Sequence, residues 1–274
     1  MALSQEFGIN YEVKQKGNLM FSYLGRDVLI HIHHAGIDLD YLTSITRTQN
    51  FKICADKYSK ITNNKFSIVS IDNPLELNLL IIKLEAYKAY LRKYPELKDK
   101  IILIQIITYD KGNGEQKLSQ NVQTISNEII KEFGEGCLLI EHIQNISVWE
   151  QLALFSVCNI LMIMQMWNGL CTLANQFISV QSGNKKHGMI VNESSGISPT
   201  IISAIRVNPF NKVDIVKAIE TMNLITDEER RKNYEHDMRY IKENSTFTWI
   251  QSFFVNLKKM ASFQITSSKI GLGM

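Results

Sequence analysis

From Phe66 onward the apolar positions fall into short unbroken runs, separated by longer stretches in which they recur every three or four residues. The runs at 66–71 (FSIVSI), 100–107 (KIILIQII), 137–142 (CLLIEH), 159–164 (NILMIM), 188–193 (GMIVNE) and 204–208 (AIRVN) suit strands buried on both faces of a parallel sheet. Between and after them, 75–94, 118–133, 148–157, 170–180, a short segment after Ser198 and 213–222 read as helices, the first stopped by Pro95. Strands alternating with helices of this length predict βαβ units and a doubly wound parallel α/β sheet with right-handed crossovers. Val69, Ile104, Leu139, Met162, Ile190 and Val207 are then expected in buried strand positions. Ahead of this pattern, 19–24 and 28–32 predict two strands joined through Gly25-Arg26-Asp27. Behind it, 227–243 and 246–260 predict two amphipathic helices, the second carrying Trp249, Phe253, Phe254 and Leu257 at helical spacing.

The stretch from Asn159 to Gln181 places candidate chemistry. An apolar strand runs into Trp167-Asn168-Gly169, and Leu170, Leu173, Ala174 and Phe177 then take up a helical period. In an open α/β sheet such a turn sits at the carboxyl end of a strand, where ligands bind and where the first N–H groups of a helix meet a phosphate.

Composition narrows the class. With 274 residues, 45% hydrophobic and 21% charged, the chain has the make-up of a soluble globular protein with one large or two smaller cores. A net charge of +3 without a basic, aromatic-interleaved stripe gives nucleic-acid binding no support. No basic start followed by an apolar run and no long apolar span are found, so neither a secretory signal nor a membrane partner is expected, and the cytoplasm is the default. Cys54, Cys137, Cys158 and Cys171 share no CxxC spacing and read as free thiols. His31 and His33 share a face in a strand, but no carboxylate or cysteine stands at a ligand spacing, so plain strand residues are preferred to a metal site. No GxGxxG, P-loop or Ser/His/Asp arrangement is present, and no cofactor is implied.

Several segments carry a family likeness. Gly25-Arg26-Asp27 through His34-Ala35-Gly36-Ile37-Asp38, the stretch 84–105, Ser198-Pro199, and Ala204-Ile205-Arg206-Val207-Asn208-Pro209-Phe210-Asn211 resemble, in order, landmarks of the trehalose-6-phosphate synthase family. These are retaining glycosyltransferases of the GT-B type, with two facing Rossmann-like lobes. Glu6-Phe7-Gly8-Ile9-Asn10-Tyr11-Glu12 and the closing Ile270-Gly271-Leu272-Gly273 look most like the class II members, which fuse the synthase-like domain to a phosphatase-like one. The resemblance implies transfer of glucose from UDP-glucose to glucose 6-phosphate without a metal ion. It implies three parts: residues 1–62 as a remnant of the first lobe and interlobe connection, 63–245 as the donor lobe, and 246–274 as a crossover helix and tail. Most of the first lobe, with its catalytic histidine, would then have no counterpart, and no catalytic residue is carried over.

The family's donor-binding positions are altered. The diphosphate-holding Arg and Lys of the family align with Asn73 and Asn78, and only Asp72 of that motif matches. The second donor motif becomes Trp167-Asn168-Gly169-Leu170, with Gln176 in place of the ribose-binding glutamate. No Lys or Arg occurs between Phe66 and Ile82 or from Glu132 to Asn184. Two cation-assisted bonds of about 1.5–3 kcal/mol each would be lost, against at most about 2 kcal/mol from a helix terminus. Lys111 aligns with an arginine that reaches the acceptor phosphate, although a solvated loop lysine is the plainer reading. Trp167 either fills the space left by the lost arginine or offers a stacking face to another ligand. Three functions follow: a synthase-like domain without catalysis that acts by regulation or interaction, binding UDP-glucose and glucose 6-phosphate weakly or not at all; a divergent active transferase completed by a missing first lobe; or a sugar-phosphate or nucleotide sensor. The first would engage a protein partner or a fused phosphatase-like domain.

Overall fold

The computed structural model describes residues 8, 10–13, 18–31, 33–73, 77–108, 115–166, 169, 171–181 and 187–270; for 77, 78, 115–119 and 262–270 it describes the backbone only. The chain divides into two compact units, one of Met1–Asp38 with Glu243–Met274 and one of Leu39–Lys242.

The smaller unit holds an antiparallel sheet of β1 (Glu12–Val13), β2 (Leu19–Tyr23) and β3 (Arg26–Ile30). Tyr23 pairs with Arg26, so the hairpin turns on Leu24 and Gly25 alone, with φ of 51° and 73°. Positive φ at both central residues matches the twist of the flanking strands and costs glycine nothing, while Leu24 adopts it against its side chain.

The larger unit begins with two helices, α1 (Leu39–Thr46) and α2 (Gln49–Thr62), for which the hydrophobic pattern gave no expectation. Thr48 caps α2 by accepting from the Phe51 N–H, and Asn63 ends it in the left-handed conformation. Next come β4 (Phe66–Asp72), α3 (Leu77–Lys93), β5 (Ile101–Thr108), α4 (Glu115–Phe133), β6 (Leu138–Ile143) and α5 (Val148–Val157). They are followed by β7 (Ile160–Ile163), α6 (Thr172–Val180), β8 (Gly188–Asn192), β9 (Ala204–Val207), α7 (Lys212–Leu224) and α8 (Asp227–Glu243). All six strands run parallel in the order β6-β5-β4-β7-β8-β9. Neighbouring strand residues point to opposite faces, and Ile68 and Val69 are both fully buried, so helices must cover both sides. They do so in two groups: α3 packs with α4 and α7, whereas α5 packs with α2 and α6. A final helix, α9 (Thr246–Ile270), returns to the smaller unit, where the Thr246 side chain donates to the Gly36 carbonyl.

The expected doubly wound sheet is therefore present, with differences of physical interest. Leu139 is only partly buried because β6 is an edge strand paired on one side to β5. The segment after Ser198 forms turns rather than a helix. Its backbone is claimed by side chains: the buried Asp237 carboxylate accepts from the N–H groups of Ile202 and Ser203, and Arg206 donates to the Ser198 carbonyl. Helix α9 continues to Ile270 rather than ending near 260. Residues 39–62, grouped by sequence with the first-lobe remnant, lie in the compact unit of the sheet. There α2 packs on α5, and the fully buried Tyr58 places its hydroxyl 3.2 Å from Glu141 and 3.1 Å from Glu150.

Candidate functional site at the carboxyl edge of the sheet

The strand order reverses direction between β4 and β7, and crevices for ligands open outside the carboxyl ends of strands at such a switch point. Side chains stitch this edge together from β5 to β8. The Thr108 hydroxyl donates to the Asp72 carbonyl (3.3 Å), and the Gln165 amide donates to the Ile71 carbonyl (3.5 Å). Asn192, at the end of β8, donates to the Gln165 carbonyl (3.1 Å) and accepts from the Ser194 N–H (2.9 Å). The next loop closes on the turn after β7 through two glycines: a Cβ on Gly196 would lie 1.9 Å from the Gly169 carbonyl oxygen, so only glycine fits. Gly169 itself is exposed, its carbonyl side lies against Gly196, and a Cβ on it would meet none of the described residues within 4 Å.

Beneath this edge lies a buried polar cluster. Asp72 ends β4 with 7% of its surface exposed, and Lys83, on α3, is 1% exposed. The two form an ion pair. The Lys83 ammonium also donates to the Ser70 hydroxyl (2.6 Å), which lies 2.9 Å from the same Asp72 oxygen and 2.7 Å from the Met162 carbonyl. Gln105, fully buried in β5, donates to that Asp72 oxygen at 2.7 Å. One carboxylate oxygen thus faces an ammonium, a hydroxyl and an amide, which is the saturation a buried charge requires. The positive charge nearest in sequence to Asn78 is consumed within the protein.

The residues singled out from the sequence are distributed as follows. Asp72 is in the buried cluster, and Asn73 is exposed just past the end of β4. Asn78 lies in the first turn of α3, where the backbone alone is described. Gly169 is at the switch point. Gln176, on α6, accepts a hydrogen bond from the Gln151 amide of α5 at 2.5 Å, so its carbonyl oxygen is turned to a neighbouring helix. Trp167, Asn168, Leu170 and Lys111 lie outside the described residues. The His31 and His33 rings lie with centroids 4.2 Å apart, tilted by 40° to one another. The residues after the six strand ends are Asn73, Tyr109, Gln144, Met164, Glu193 and Asn208, none of them a cation.

Sequence reasoning missed Lys83, Gln105 and Ser70. The signal for two of them was present: Lys83 interrupts the apolar stripe of Leu79, Leu80, Leu84, Tyr87 and Leu91, and Gln105 is the one polar residue inside the run IILIQII. A polar side chain at a position patterned as core announces a buried partner.

Together these features define a Rossmann-like, doubly wound α/β lobe with a topological switch point between β4 and β7. The family model for "Glycosyltransferase family 20" matches residues 4–259, and the chain belongs to that family. It is 23% identical over 291 residues to alpha,alpha-trehalose-phosphate synthase (UDP-forming) 5 of Arabidopsis thaliana, covering 98% of this chain and 33% of that protein. Its fold is similar to that of a synthase (UDP-forming) from Burkholderia xenovorans in complex with glucose-6-phosphate, with a TM-score of 0.80, 17% identity and coverage of 93% of this chain and 57% of that one. It is also similar to the N-terminal domain of the Candida albicans trehalose-6-phosphate phosphatase, with a TM-score of 0.78, 20% identity and coverage of 94% and 55%. The chain spans about a third of the Arabidopsis relative and somewhat over half of each solved structure.

Proposed function

We propose that this chain is a trehalose-6-phosphate synthase-like domain that does not itself transfer glucose and acts through regulation or interaction. The observation that carries the reading is the fate of Lys83: it is buried against Asp72, and its charge is not offered to a diphosphate. Asn73 stands exposed at the strand end where the resemblance implies an arginine, and the Gln176 amide turned to Gln151 stands where it implies a ribose carboxylate. A protein named as a phosphatase carries the same fold in its N-terminal domain, so the fold is compatible with roles other than transfer.

The test is a product assay with UDP-glucose and glucose 6-phosphate, in which the chain makes no trehalose 6-phosphate above a boiled control; turnover rejects the reading. A rescue sharpens it. Asn73→Arg with Asn78→Lys should raise UDP affinity about tenfold or more, because each cation-assisted bond contributes about 1.5–3 kcal/mol.

Docking is the form of interaction that α9 supports. Phe247 is 74% exposed, Phe254 54% and Leu257 53%. Grouped exposed aromatics on one helix mark an association surface.

A further inference from the structure

Helix α9 presents two faces with different fates. Trp249, Ser252, Asn256 and Met260 are its more protected positions and share one face, which is held within the smaller unit: the Trp249 and His33 ring centroids lie 5.8 Å apart, and the Ser252 hydroxyl lies 3.3 Å from His31 Nε2. About a third of a turn round the helix runs a second stripe, Phe247, Ile250, Phe254, Leu257 and Ala261, all of it exposed. Even Ile250, the most covered of its large residues, keeps 41% of its surface in water. The steps along this stripe are three, four, three and four residues. That alternation is the period of a helix-pairing seam, in which each apolar side chain enters a hole formed by four residues of a facing helix. No charged residue stands on it.

We propose that this stripe is a dimer interface, on which α9 of a second copy of the chain packs antiparallel. The order of side-chain sizes selects that occupant. With two α9 helices crossing at Ser252, Phe247 of each copy meets Leu257 of the other, and Ile250 of each meets Phe254 of the other. Four layers result, each of one aromatic and one aliphatic residue, so all have similar width, and the small Ala261 lies beyond the last. Parallel pairing would set phenylalanine on phenylalanine and leucine on leucine, giving layers alternately too wide and too narrow. A stripe complementary to itself in this way meets the requirement of a two-fold interface, where one patch serves both subunits. Size sets the strength. The exposed surface of the four large side chains is on the order of 400 Å² per copy, or roughly 800 Å² for the pair before flanking contacts from Phe253, against about 1,200 Å² or more in stable complexes. The dimer is therefore reversible, with a dissociation constant on the order of 10 μM or weaker. This assignment rests on the docking role given to α9 above and names its partner.

The experiment is sedimentation equilibrium of the full chain across the micromolar range, which should show a monomer–dimer equilibrium that stops at the dimer. Phe254→Glu should weaken it about a hundredfold or more, because the substitution enters twice in a two-fold dimer. Leu257→Ser, a milder change on the same stripe, should weaken it about tenfold and keeps the test open if Phe254→Glu does not fold. Leu224→Glu, which removes an exposed leucine from α7, should leave it unchanged. Orientation is read by oxidising mixed chains: Ile250→Cys chains should cross-link to Phe254→Cys chains in preference to their own kind. Monomer throughout, association that grows past the dimer, an equal response to Leu224→Glu, or Ile250→Cys chains joining chiefly to one another would each overturn the assignment. Dimers that also made trehalose 6-phosphate would reject the reading of an inactive domain and leave this interface standing.

Discussion

Two helices of this protein reverse the usual placement of charge and oil, in opposite directions. Helix α3 takes a lysine into the core, and α9 leaves phenylalanines in water. The outcomes differ because of what each residue meets. Lys83 finds Asp72 and Ser70 within reach, so its burial is balanced inside the chain. The exposed faces of Phe247, Phe254 and Leu257 have no such internal account, and water is the worst neighbour for them. A reversal answered internally is architecture, and one left open points outward, to a partner.

The largest expected effect tests the first half of that contrast. Lys83→Met leaves the Asp72 carboxylate buried without its cation and should lower unfolding free energy by about 3–5 kcal/mol in a urea titration. Adding Asp72→Asn should recover part of the loss, since the charge then goes too; strict additivity of the two substitutions would show that the pair does not interact.

A smaller effect is expected at a partly buried polar cluster, which joins α2 to α5 and β6 through Tyr58, Glu150 and Glu141. Burial, with Glu141 and Glu150 beside it, pushes the Tyr58 phenol far above its usual range, and burial takes Tyr90 up to about 12. A phenol whose folded-state pKa is raised stabilises the fold fully below its unfolded value of about 10, and that contribution is lost as pH climbs through the folded pKa. Stability should therefore hold through neutral pH and fall above pH ~10. Tyr58→Phe should cost about 1–3 kcal/mol at neutral pH and make the alkaline fall shallower. An unchanged alkaline profile in Tyr58→Phe would remove this residue from the account.

The mildest effect on stability is expected where the surface effect is greatest. Phe253→Ser with Phe254→Ser alters exposed side chains on α9 and should move stability by about 0.5 kcal/mol or less per site, while reducing hydrophobic-dye binding and self-association. A large loss of stability would mean that these rings are core, and the contrast between the two helices would fail.

The sheet was legible because buried parallel strands write themselves as unbroken apolar runs, as IILIQII does. Helices α1 and α2 were not. Their inward positions are few, and Tyr58 and Thr62, the buried residues of α2, carry hydroxyls that do not stand out as a stripe. In the candidate site, the place of Gly169 followed from the strand-turn-helix pattern. The state of Lys83 did not, because its partners Asp72 and Ser70 lie on another element and meet it only in the folded chain. Gln105 belongs with it: pairing across β4 and β5 sets it opposite Ser70, a register that only the folded sheet supplies.

Calorimetric titration of the unmodified chain with UDP-glucose tests the central claim most directly. With Lys83 committed to Asp72, and with Asn73 and Gln176 at the donor positions, no saturable heat should appear in the micromolar range. Micromolar binding would contradict the account, since it would require a diphosphate to be held at the switch point by groups other than these.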